Sequence, residues 1–69
     1  MKDPKKAFGI KVREIRTKLG WSQEELGFEA DLDRTYIGSV ENGKRNISLV
    51  NICKIANALK VSPKDLLDF

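Results

Sequence analysis

At 69 residues the chain has room for one small domain, read here as spanning 1–69, and a fold of this size buries only about 60% of the surface its unfolded chain exposes. One cysteine, Cys53, and no histidine exclude a disulfide framework and a structural zinc site, so packing or self-association must supply the missing stability. A homodimer is the first expectation, with Cys53 a packing residue of the core or of an interface rather than a nucleophile or redox group. No run of apolar residues approaches bilayer-spanning length, Met1 to Lys6 lacks the apolar core of a leader, and a lone thiol fits a reducing compartment; the expected location is the cytoplasm. The formal charge is only +3, but it alternates along the chain: residues 1–21 carry seven Lys or Arg against two acids, residues 22–33 carry five acids and no base, and Arg34 to Arg45 is basic again. Charge by itself points weakly to an anionic partner.

Start and stop signals predict five helices, no period-2 strand pattern and no repeat, hence a compact all-α fold. Asp3 before Pro4 opens the first helix, and Phe8, Val12, Ile15 and Leu19 recur at helical spacing until Gly20, giving residues 4–19. Ser22 and Glu25 form a Ser-x-x-Glu capping box, so a second helix runs over 23–30. Asp33 caps a third, 34–42, with Gly43 as its left-handed terminus; Ser48 caps a fourth, 49–59; and Ser62 before Pro63 opens a short fifth, 63–68. The connections are two to six residues long, as in a compact bundle.

The second and third helices carry the informative pattern. Leu26, Ala30, Leu32, Ile37 and Val40 are apolar, and Gly27 lies where a small residue lets two helix backbones approach, as a helix-turn-helix requires. With Ile37 and Val40 pointing inward, Thr35, Gly38, Ser39 and Asn42 fall on the opposite side. That outward face is small, polar and uncharged, so it can enter a major groove without repelling phosphate, whereas an ordinary solvated face would be rich in Glu and Lys. Each glycine in these helices loses about 1 kcal/mol of helix propensity relative to Ala, which calls for a reason.

Three stretches, Trp21-Ser-Gln-Glu-Glu-Leu26, Leu32-Asp-Arg-Thr-Tyr-Ile37 and Val40-Glu-Asn-Gly-Lys-Arg-Asn46, resemble the Cro/C1-type helix-turn-helix family, over about Val12 to Leu67. Within it, Asp33 to Ile37 and Arg45 to Leu49 look most like the controller proteins of restriction-modification systems. The resemblance implies a five-helix, lambda-repressor-like domain that binds double-stranded DNA and regulates transcription. Gln23 would bond a phosphate at the positive end of the second helix. Arg34, Thr35 and Ser39 would meet base edges, Arg34 by giving two donors to guanine. Tyr36, Asn42, Lys44, Arg45, Asn46 and Ser48 would contact the DNA backbone, although packing of the Tyr36 ring on the domain is an equal alternative. Arg16 and Glu41 would form a structural ion pair orienting the recognition helix.

Three positions depart from the family pattern. Asp31 replaces a turn glycine, which Asp tolerates; Lys60 replaces the glycine ending the fourth helix, where a left-handed lysine would be strained, so a tighter turn is expected; and Gly38 replaces a longer side chain, shifting specificity toward DNA shape. Glu24, Glu25 and Glu29 are a solvated face or a partner site, with Glu24 placed like the activating patch of lambda-type repressors and so a candidate contact for RNA polymerase. The fourth helix has more apolar residues than one stripe needs, and Val50, Val61, Leu66, Leu67 and Phe69 are assigned to a dimer interface. No catalytic constellation, cofactor motif, metal cluster or effector pocket is expected. A phage-type repressor, an antitoxin, or an interaction module that keeps the fold without reading DNA are the other readings.

Overall fold

Each helix of the computed structural model, which describes residues 3–69, begins where the sequence supplies a cap. The helices are α1 (Pro4–Lys18), α2 (Gln23–Ala30), α3 (Arg34–Glu41), α4 (Leu49–Leu59) and α5 (Pro63–Leu66). Asp3 Oδ1 accepts from the Lys5 N–H at 3.0 Å, Asp33 Oδ2 from Thr35 at 3.0 Å and Ser48 Oγ from Asn51 at 3.2 Å. Ser22 and Glu25 close both halves of their capping box, at 3.0 and 2.8 Å. The Ser62 N–H donates to Asp65 Oδ2 at 2.9 Å. Met1 and Lys2, part of the segment read above for charge and a leader, lie outside the described residues.

The helix ends differ slightly from expectation. α1 and α3 stop one residue early, because Leu19 and Asn42 serve as their caps, and α5 ends at Leu66 instead of residue 68. Asp31 is left-handed (φ 57°), as its tolerance for that region allows. Lys60 is left-handed too (φ 60°), so the tighter turn expected there is wrong. Two bonds hold it: the Lys60 N–H reaches Asn57 O at 3.2 Å and the Val61 N–H reaches Ala56 O at 3.0 Å, while Val61 packs on the core. Closing the helix and seating Val61 together outweigh the conformational cost at lysine.

The core takes residues from all five helices: Phe8 and Val12, Leu26 and Ala30, Ile37 and Val40, Ile55 and Leu59, and Leu66. α2 packs on α3 and α4, and α1 on α3 and α5. Gly27 makes the α2–α3 approach possible, since a Cβ there would stand 2.6 Å from Leu32 O, the first carbonyl beyond the turn. Gly9 does the same for α1 on α3, where a Cβ would collide with the backbone carbonyls of Val40 and Glu41. Leu66 is fully buried, which corrects its assignment to a dimer surface: the short α5 uses it to close the base of the core. Cys53 is exposed, which removes the core alternative for it.

Candidate nucleic-acid interface

α3 is held from behind by Ile37 and Val40, both buried, so its other side faces solvent. Arg34, Thr35 and Asn42 are exposed there, with Gly38 and Ser39 half-buried between them. Gly38 and Gly27 turn out to have different reasons. A Cβ on Gly38 would meet nothing closer than Gln23 Oε1 at 3.5 Å, ordinary contact, so the fold does not require glycine at this position.

Behind the far end of this face lies one carboxylate with several donors. Glu41 Oε2 accepts from Arg16 Nε at 2.6 Å and Oε1 from Arg16 Nη2 at 2.9 Å, the bidentate pair expected from the resemblance. Arg16 Nη1 also donates to the Trp21 carbonyl at 2.7 Å, tying α1 to the start of α2. Gln23 Nε2 donates to Glu41 Oε1 at 3.0 Å and Arg13 Nε to the same oxygen at 3.2 Å. Burial pushes the Glu41 carboxyl up, but hydrogen bonds from Arg16, Gln23 and Arg13 outweigh it and hold the group below the usual carboxylate range. The Arg16 guanidinium is correspondingly raised, chiefly by its bond to Glu41.

Gln23, expected at a phosphate, therefore spends one amide hydrogen on Glu41 and keeps the other. Asn42 Oδ1 accepts from Arg13 Nη2 at 3.3 Å. The half-buried ring of Tyr36 packs on the core, the alternative to a backbone contact, and its hydroxyl accepts from Asn51 Nδ2 at 3.0 Å while keeping its own hydrogen to donate. The Arg45 guanidinium lies 4.9 Å from the Tyr36 ring centroid, a cation–π contact that fixes this basic side chain beside α3. Ser48 Oγ is occupied as a helix cap but retains its donor hydrogen. Lys44 and Asn46 are exposed in the same loop. The tether from Asn51 and the contacts of Arg13 had no signal in the sequence, because each joins residues far apart in the chain through side-chain reach alone.

Elsewhere, Glu24 and Glu29 are exposed on the outer side of α2, while Glu25 is used as a cap. Val50, Leu67 and Phe69 are exposed, as is Leu49 beside Val50, and Val61 is half-buried. Among the described residues no grouping of Cys, Asp and Glu is suited to a metal ion, and no helix is long and apolar enough to cross a membrane.

A helix-turn-helix family profile matches residues 12–66, covering the turn, the recognition face and the basic loop just described. The chain belongs to the Cro/C1-type helix-turn-helix family. It is 64% identical over 63 residues to the control protein C.BamHI of Bacillus amyloliquefaciens, covering 90% of this chain and 78% of that protein. It is 48% identical over 67 residues to the control protein C.MunI of a Mycoplasma species, covering 96% and 90%. The solved restriction-modification controller protein C.AhdI from Aeromonas hydrophila superposes with a TM-score of 0.88 at 53% identity, covering 90% of this chain and 94% of that one. The likeness to restriction-modification controllers seen in residues 33–37 and 45–49 is thus borne out. Like these members of the family, the protein is a DNA-binding transcription regulator and not an enzyme.

Proposed function

We propose that the protein works in the cytoplasm as a homodimer on a pseudo-palindromic operator, its two α3 helices entering successive major grooves about 34 Å apart. In this reading it controls its own gene and that of a restriction endonuclease. The observation that carries it is the exposed, small and polar side of α3, flanked by Arg34 at one end and by Lys44 and Arg45 at the other. Arg34, Thr35 and Ser39 read base edges, and Gln23, Tyr36, Asn42, Lys44, Arg45, Asn46 and Ser48 anchor the sugar-phosphate backbone. Val50, Leu67 and Phe69, with Val61 at the edge, supply exposed apolar surface for the second protomer. A single domain with so few base contacts discriminates poorly, and a dimer doubles them.

The test is selection from random duplex DNA with sequencing of the bound pool, for the wild type, Arg34→Ala and Lys44→Ala. The wild type should enrich a two-fold motif. Arg34→Ala should relax one position per half-site by about 1–3 kcal/mol, and Lys44→Ala should weaken all sequences alike and flatten the salt slope by about one unit. A pool without a two-fold motif overturns the reading. Glu24 is exposed and free to touch RNA polymerase bound beside the operator; a Glu24→Lys variant that binds normally and still activates transcription would remove that contact.

A further inference from the structure

Two guanidinium groups share the single carboxylate of Glu41, and they do so unequally. The Arg16 side chain is 11% exposed and bonds both carboxylate oxygens, whereas the Arg13 side chain is 51% exposed and reaches Oε1 only through Nε at 3.2 Å. Arg16 thus neutralises Glu41, and the positive charge left over lies at the surface on Arg13. Its position is fixed on both sides: Nε is held by Glu41 and Nη2 by the side chain of Asn42, the residue that caps the recognition helix. Glu41 Oε1 also receives Gln23 Nε2 at 3.0 Å, so Gln23, Glu41, Arg13 and Asn42 form one hydrogen-bonded row, and Gln23 and Asn42 are both assigned above to the DNA backbone. A guanidinium has five N–H donors, and the bonds to Glu41 and Asn42 use two, leaving three for a ligand on a side chain that is half exposed.

We propose that Arg13 is a phosphate-binding residue of the operator complex, pre-positioned by Glu41 and Asn42 to close the gap between Gln23 and the loop after α3. The assignment rests on the DNA-binding reading of the α3 face. Arginine is suited to it, because a planar fork already fixed by two bonds loses little freedom when it meets a phosphate. Arg16, being buried, does the structural work; Arg13 extends the same cluster outward to the ligand.

The experiment uses the duplex enriched by the wild-type protein and follows affinity against salt for the wild type, Arg13→Gln and Arg13→Lys, with the thermal midpoint of each protein alongside. Arg13→Gln should bind several-fold more weakly at low salt and lower the slope of log K on log salt by about one unit per protomer. Its base preference should not change. Arg13→Lys keeps the charge and should retain the wild-type slope. A Gln variant that unfolds, or that keeps the wild-type slope, assigns Arg13 to folding alone and overturns the proposal. If the wild type itself enriches no duplex, the DNA-binding reading falls as well; if it enriches a two-fold motif and the Gln slope is unchanged, only the role of Arg13 falls.

Discussion

Both oxygens of the Glu41 carboxylate, which has no exposed side-chain surface, accept from one edge of the Arg16 guanidinium, from Nε at 2.6 Å and from Nη2 at 2.9 Å. Removing one member of such a pair leaves the other buried and uncompensated, so Glu41→Gln should cost about 3–5 kcal/mol in urea or thermal unfolding, a large share of the stability of so small a domain. The pH dependence follows from the lowered carboxyl. Its contribution is complete above the unfolded value of about 4.3 and is lost as pH falls through the lower folded value. The gap between wild type and Glu41→Gln should therefore be widest near neutrality and narrow below about pH 4; a gap that stays constant to pH 2 would show that the ionised pair does not contribute.

Gly27 and Gly38 should respond oppositely to alanine. At Gly27 the new methyl meets Leu32 O at 2.6 Å, and Gly27→Ala should destabilise by about 1–3 kcal/mol through forced separation of α2 and α3. At Gly38 the methyl finds ordinary contact, and helix propensity should make Gly38→Ala more stable by about 1 kcal/mol. If glycine there serves the groove, the stabler variant should also bind the selected duplex less well, measured by anisotropy under conditions where both proteins are fully folded.

Lys60→Gly should raise stability by up to about 1 kcal/mol, because glycine enters the left-handed region without the clash that lysine's Cβ makes. Asp31→Gly should gain less, since Asp already tolerates that conformation. Denaturant midpoints of the two variants measure the difference directly.

Leu66 and Leu67 are neighbours, the first fully buried and the second exposed. Leu66→Ala should cost about 2–5 kcal/mol at any protein concentration, because it empties a fully buried site. Leu67→Asp, on the surface, should leave the monomer folded and shift sedimentation from dimer toward monomer. A Leu67→Asp protein that still sediments as the wild type does would remove that residue from the interface.

What the sequence made legible were the features written in short-range chemistry. The caps at Asp3, Ser22, Asp33 and Ser48 each act over two or three residues, and all form as read. The Arg16–Glu41 pair was available through the family pattern and stands as expected. Misreadings fell where tertiary packing decides. Lysine at position 60 is left-handed because seating Val61 demands it, and Leu66 belongs to the core because α5 folds back under α4 and α1. Arg13 carries no such signal, because nothing in its helical spacing separates a solvated basic residue from one that reaches across to Asn42.

Trp21, the one tryptophan of the chain, is half-buried against the core, and its carbonyl accepts from Arg16 Nη1 at 2.7 Å. The molecule thereby contains a single indole, excitable apart from the Tyr36 phenol at the long-wavelength edge, at the joint between α1 and α2 and one bond away from the Glu41 cluster. Its emission reports the opening of that joint by itself, with no label added and no second indole to confuse the signal, so equilibrium unfolding, acid titration and rapid-mixing experiments on every variant above can be followed by the same optical readout.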